Sequence, residues 1–287
     1  MTTRRPRTGT GAATAGQWPV AGGTAEIVAV TGAREQWLLR LDGIDQSHVD
    51  LADPTHLAFD YIRWIGHVID LLAPAFDALH TVHVGAGAAT LARYVAATRP
   101  ASRQVLLDPD EPLLQVVRDH LGLRSTSHLK LRAVDGRDGL AGLPAQAYHL
   151  VIRDAFAGMA VPPRLLSTGF TAAVTRVLAP GGCYVANLSD RAPFDLLRAE
   201  ASTALQSWRR VLAIAEPATW RGRRTGNVIL VASDRALPLP DLARRLSGGS
   251  AAARLLTTAQ LRDRVGGRQP LFDGDPVPQP PVRPTWM

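Results

Sequence analysis

The chain has 287 residues, 46% of them hydrophobic, which is enough for a buried core, and no apolar run approaches the ~20 residues that span a bilayer. The net charge of +7 is spread along the sequence, with Lys130 the only lysine among 32 basic residues, and no basic stripe interleaved with aromatics or zinc-finger spacing accompanies it, so a nucleic-acid partner is not expected. The single cysteine, Cys183, excludes an internal disulfide and any multi-cysteine metal site.

Residues 1–22 are rich in Thr, Gly, Ala and Arg without apolar periodicity and read as a disordered tail. The basic N-terminus is not followed by an apolar segment, so a cytoplasmic location is expected. Residues 25–41 alternate apolar and polar around a Gly32 turn, the pattern of a β-hairpin closed by Asp42-Gly43. Residues 56–72 carry apolar side chains at helical spacing, with Asp53 as the expected cap and Pro54 in the first turn. Residues 23–75 thus form a small N-terminal unit.

From residue 80 strand and helix alternate. Strands are expected at 81–84, 104–108, 129–134, 148–153 and 183–188, and helices at 89–98, 110–121, 164–178 and 193–207. The helix signal at 137–142 is weak. Ala179-Pro180-Gly181-Gly182 reads as a turn, and 211–214 and 227–232 as a closing pair of antiparallel strands. Such alternation predicts a doubly wound, mostly parallel α/β sheet over residues 76–265. Residues 266–287 read as a proline-rich extended tail.

Ligands of such sheets bind beyond the carboxyl ends of the strands. Gly85 and Gly87 end the first strand of the series and open a helix, where backbone N–H groups can approach a ligand closely. Asp108 ends the second strand, at the spacing of an acid that accepts hydrogen bonds from ribose hydroxyls. Asp135, followed by Gly136, ends the third, and Asp154 the fourth. Three carboxylates at one edge repel one another, which costs stability unless a ligand or hydrogen bonds make use of them.

Together with Leu41-Asp42-Gly43, Gln46-Ser47 and Leu178-Ala179-Pro180-Gly181-Gly182, these residues make the chain resemble the spermidine synthase-like family, within the class I S-adenosylmethionine-dependent methyltransferases. The resemblance spans roughly residues 25–235. It implies a seven-stranded Rossmann-like methyltransferase sheet with a small N-terminal β-unit. It implies that Asp108 binds the ribose, Asp135 with Gly136 the adenine, and that Gln46 lines the nucleoside site beside Gly85 and Gly87. Asp154 matches the acid that faces the attacking amine. The implied reaction is displacement at a sulfonium carbon, with S-adenosylmethionine or its decarboxylated form as donor, a small-molecule nucleophile as acceptor, no metal, and a homodimer as the assembly. Three positions depart from the family pattern: Ala88 and Ala157 stand where acids would contact amine groups, and Leu57-Ala58-Phe59 where the N-terminal helix carries Tyr-His-Glu. The departures argue against efficient transfer to putrescine, and favour the carboxylate-bearing donor or a degenerate, non-catalytic site. A nicotinamide dehydrogenase, which also uses glycines and a strand-end acid, fits the Pro-Gly-Gly turn and Asp135-Gly136 poorly.

Other residues read as structural. Cys183 lies in an apolar run and reads as a buried thiol, and His83 alternates with core residues as a satisfied histidine. His48, Asp50, Asp53 and His56 make a metal cluster on paper, but Pro54 intervenes and the segment reads as a solvated loop and helix start. Asn187, at a strand end like the acids, is a candidate substrate contact.

Overall fold

A computed structural model describes residues 13–248 and 252–278. It opens with an antiparallel four-stranded sheet in sequence order: β1 (Gly16–Val20), β2 (Gly23–Ala29), β3 (Gln36–Leu41) and β4 (Ile44–Asp50). Helix α1 (Asp60–Leu72) follows. The alternating region then runs β5 (Thr81–Val84), α2 (Thr90–Thr98), β6 (Gln104–Asp108), α3 (Glu111–His120), β7 (Leu129–Ala133), α4 (Gly136–Ala141) and β8 (Tyr148–Arg153). A 3₁₀ turn, Pro163–Leu165, leads into α5 (Thr168–Val177), β9 (Leu178–Asp190), α6 (Asp195–Ser207), β10 (Arg210–Ala215), α7 (Pro217–Trp220), β11 (Gly226–Ser233), α8 (Leu239–Ser247), β12 (Arg254–Leu256) and α9 (Thr258–Val265).

The large sheet has the order β12-β10-β11-β9-β8-β5-β6-β7. Strands β5 to β9 are mutually parallel, and β11 runs antiparallel to both β9 and β10. The mostly parallel α/β sheet expected from the sequence is present, with the three-residue β12 as an eighth strand at one edge. Every residue of β5 and β6 is buried, including the polar Thr81, His83, Gln104 and Asp108. His83, inside β5, exchanges a hydrogen bond with Gln104 at 2.8 Å, and burial holds its pKa down to about 4, so it is a neutral core histidine. Cys183 is buried, which pushes its thiol up to about 12.

Both faces of the sheet are covered. Val82, Val84, Leu107, Val151 and Tyr184 pack with Phe170 and Val174 of α5 and Leu197 of α6. On the other face Leu150, Ile152 and Val185 pack with Ile62, Ile65 and Ile69 of α1. A third cluster joins the N-terminal sheet to the main one, through Ile27, Leu39 and Val49 against Ala88, Leu113 and Val117. Asp110, which caps α3 by accepting from the Leu113 N–H, also accepts from the Ala21 and Gly22 N–H groups at 3.2 and 2.9 Å. One carboxylate thus fixes the β1–β2 turn to the start of a helix.

The structure corrects five expectations. The disordered tail does not reach residue 22, because Gly16–Val20 is a strand; residues 1–12 lie outside the described region. The hairpin is part of a four-stranded sheet. Helix α1 starts at Asp60 rather than after Asp53, whose carboxylate instead closes a local turn onto the Thr55 N–H at 3.0 Å. The tail is tied to the core at several points: Leu271 is buried, Val277 packs against the core, and Asp273 pairs with both terminal guanidinium nitrogens of Arg137 at 2.6 and 2.7 Å. In addition, residues 179–182 are not a free turn but the bulged start of β9, where the register with β8 shifts.

Candidate active site

The turn after β5 is built for close approach. Gly85 has φ +95°, and a Cβ there would lie 2.1 Å from the Asp154 carbonyl oxygen. Gly87 has φ +46°, and a Cβ there would lie 2.4 Å from Ser47 Oγ. Neither position tolerates a side chain in this arrangement. Gly85→Ala is expected to displace the end of β8 and lower the melting temperature by several degrees, because backbone cannot yield as a flexible side chain can. Thermal melts check this, and a variant that melts with the wild type would contradict it.

Strand β4 reaches the turn from the N-terminal sheet. The pairing of β3 with β4 steps from Leu39–Ser47 to Arg40–Asp45, so Gln46 is the unpaired residue of a bulge. The bulge leaves Ser47 facing the glycines, where its Oγ accepts from the Ala88 N–H at 3.1 Å. Thr90 Oγ1 donates to the His48 carbonyl at 2.8 Å, a second tie between strand and turn. Gln46 itself is half-buried beside them.

Asp108 at the end of β6 is buried. Its Oδ2 accepts from the Ala86 N–H at 2.8 Å, and its Oδ1 from the Asp110 N–H at 2.9 Å. Burial raises its pKa; the two backbone hydrogen bonds pull the other way. Asp135 caps α4, its Oδ1 accepting from the Arg137 and Asp138 N–H groups at 2.9 and 3.4 Å. Its carboxylate remains 26% exposed. Gly136 lets α4 press on β5, since a Cβ there would lie 2.3 Å from Val84 Cγ1.

Asp154 follows β8 directly. Asn187 Nδ2 donates to its Oδ1 at 2.9 Å, and the Tyr61 hydroxyl donates to its Oδ2 at 3.3 Å. Burial pushes the Asp154 carboxyl up from the ordinary carboxylate value, while the Asn187 and Tyr61 hydrogen bonds and the Arg153 charge pull it back. Burial, with the adjacent Asp154 charge, raises the Tyr61 phenol well above its ordinary value, so it is a neutral donor. Asn187 is buried, and its Oδ1 has no partner.

Gly85, Asp108, Asp135 and Asp154 therefore all stand at the carboxyl edge of one parallel sheet, with Gln46 approaching from the N-terminal sheet. No family model matches this chain, and no curated protein does. Solved structures do match. A probable spermidine synthase from Corynebacterium glutamicum ATCC 13032 shares 30% identity at a TM-score of 0.85, over 93% of this chain and 99% of that one. The chain belongs to the spermidine synthase-like family. A spermidine synthase in complex with the transition state analogue AdoDATO has the same fold at 15% identity, with a TM-score of 0.57 over 88% of this chain and 84% of that one. Human methyltransferase-like protein 13 in complex with SAH shares the fold at 18% identity, with a TM-score of 0.50 over 75% and 93% of the two chains. These two neighbours share the fold of the chain.

In this spermidine synthase-like protein the Tyr61 hydroxyl of α1 reaches Asp154. Leu57-Ala58-Phe59 precedes α1, with Leu57 buried. Ser47 was missed as a contact, because its partner, Ala88, lies 41 residues away in the turn after β5. At the other departures Ala88 is fully buried, and Ala157 closes a tight turn by bridging to Ala160 around Gly158 at φ +62°. His48 and His56 do not converge on a shared ligand position with Asp53: His56 pairs with Asp50 at 3.1 Å and His48 with Gln36 at 3.3 Å. Among the described residues no helix is long and apolar enough to cross a membrane.

Proposed function

We propose that this protein is a transferase that binds an adenosyl sulfonium donor over the Gly85–Ala89 turn and moves its aminopropyl or methyl group to a small-molecule nucleophile at Asp154. Asp108 accepts the two ribose hydroxyls. Its oxygens each hold one backbone hydrogen bond and keep lone pairs for the ligand. Asp135 turns Oδ1 to its own helix, which leaves Oδ2 for the adenine amino group next to Gly136. Gln46 lines the same pocket from the β4 bulge. The buried, uncharged Ala88 offers nothing to an ammonium on the donor, which favours S-adenosylmethionine over its decarboxylated form.

In the reaction the acceptor's lone pair forms a bond to the sulfonium carbon, and the carbon–sulfur bond breaks with its electron pair going to sulfur, which leaves as a neutral thioether. For an amine acceptor the proton passes to Asp154. The observation that carries this reading is the setting of Asp154: a partly desolvated carboxylate held by Tyr61 and Asn187 beside the glycine turn. Fixed geometry supplies most of the rate in such displacements, and a base near the nucleophile supplies the rest.

Asp154→Asn is expected to cut turnover by ~10²–10⁴-fold while leaving nucleoside affinity within about twofold. The assay is release of the thioether nucleoside from donor in the presence of a metabolite extract as source of acceptor. Wild-type rates fall as pH drops through the Asp154 pKa, which burial pushes above the ordinary carboxylate value, because only the ionised form accepts a proton. The same raised pKa means that ionising Asp154 costs stability as pH rises through it, so the Asn variant is expected to melt no lower than wild type at neutral pH. An Asn variant with wild-type turnover would remove Asp154 from the mechanism.

A further inference from the structure

We infer that the acceptor carries an anionic group besides its nucleophile, and that the basic loop joining β10 to β11 binds that group. The inference rests on the proposed chemistry at Asp154 and names the class of substrate that would react there.

The topology brings this loop to the same edge as Asp154. Asn187 is level with Asp154 and bonded to it. Strand β9 continues three residues further to Asp190, about 10 Å at 3.3 Å per residue. There Asp190 pairs with Gly226 at the start of β11, and β10 ends at the same edge with Ala215 opposite Val228. Residues 216–225 therefore cap the sheet edge beyond Asn187. They rest on the loop after β9, where a Cβ on Gly222 would lie 2.9 Å from the Ala192 Cβ.

This corner is cationic and not internally neutralised. Arg221, Arg223 and Arg224 are exposed, and the loop after β9 adds Arg191. Of the nearby carboxylates, Glu216 pairs with Arg224, and Asp195 with Arg198 at 3.6 Å. Asp190 is buried and accepts from the Arg191 and Leu197 N–H groups at 2.7 and 2.8 Å. No carboxylate pairs with the side chains of Arg191, Arg221 or Arg223 among the described residues. Arg264 adds another guanidinium, 5.2 Å from the Phe194 ring and 5.3 Å from the Trp220 ring. The hydroxyls of Thr219 and Thr225, in the same loop, are buried without partners.

The segment after Asp154, residues 155–163, carries no charged side chain. A diamine bound with one nitrogen at Asp154 would find no carboxylate in this segment for its other end, and towards the corner would meet guanidinium groups without counter-charges. An anion reverses both terms: it is drawn to the corner by the field and can be held by the fork of donors that arginine presents to a carboxylate or phosphate.

The test titrates wild-type protein and the Arg221→Ala/Arg223→Ala double variant with 4-aminobutyrate, 3-aminopropylphosphonate and putrescine, with and without methylthioadenosine, by calorimetry at low salt. One or both anionic amines are expected to bind at least tenfold more tightly than putrescine, and the double variant to lose at least tenfold for them and nothing for putrescine. Putrescine binding as tightly as the anionic amines would overturn the inference, as would a double variant that binds them like wild type. A short DNA duplex that binds through the two arginines while the amines show no preference would also overturn it and reassign the corner to nucleic acid. Methylthioadenosine reports separately on the donor site: if it gives no heat while the anionic amines keep their preference, the donor reading fails and the anion site is supported.

Discussion

Asp108→Ala is expected to weaken binding of methylthioadenosine by about 100-fold or more. A carboxylate that accepts both ribose hydroxyls makes two charge-assisted hydrogen bonds, each contributing ~1.5–3 kcal/mol. Losing both removes about 3–6 kcal/mol, or ~10²–10⁴ in affinity. The same side chain holds the Ala86 and Asp110 N–H groups, so truncation also loosens the glycine turn. Asp108→Asn separates the two effects. It keeps the shape and one carbonyl acceptor, and should retain the fold while still losing at least tenfold in affinity. An Ala variant that binds the nucleoside like wild type would show that Asp108 is not the ribose acid.

The largest stability effect is expected beneath the site. Arg153, the residue before Asp154, is 0% exposed. Its Nη2 donates to both oxygens of buried Glu200 at 2.6 and 2.8 Å, and its Nε to the Tyr184 hydroxyl at 2.9 Å. Its Nη1 already lacks a partner. Glu200→Ala leaves the guanidinium buried without its counter-charge, a change that costs ~3–5 kcal/mol and roughly 10 °C in melting temperature. Replacing both partners, Arg153→Met with Glu200→Leu, removes the uncompensated charge and is expected to recover most of that loss. Thermal and denaturant melts of the single and double variants check this. A single variant within 1 kcal/mol of wild type (on the order of surface-pair values) would contradict it, as would a double variant no better than the single.

Much of the central sheet was readable from the sequence for a physical reason. Strands buried along most of their length, such as Thr81–Val84 and Tyr148–Arg153, appear as short segments rich in Val, Leu and Ile ended by glycine or aspartate, and their observed limits agree with those expected. Strand β1 was not readable: Gly16-Gln17-Trp18-Pro19-Val20 contains the two residues that most weaken a strand pattern, and it is tolerated because the strand lies at a sheet edge. The cap signal at Asp53-Pro54 was real as a local turn and misleading as a helix start. Residues whose roles depend on distant partners were hidden as well. Ser47 meets Ala88 in the turn after β5, Tyr61 meets Asp154 ninety-three residues on, and Asp273 in the supposed tail braces Arg137 beside Asp135. No local pattern encodes such pairings. The strand-end acids were legible one by one, but the hydrogen bonds that set the environment of Asp154 were not.

The central claim, an adenosyl donor site at the glycine turn, is tested most directly by calorimetric titration of the purified wild-type protein with S-adenosylmethionine, its decarboxylated form, methylthioadenosine and NAD. The expected result is saturable heat with the adenosyl thioether and at least one sulfonium compound, and none with NAD. No heat with any adenosyl compound, or heat with NAD alone, would contradict it.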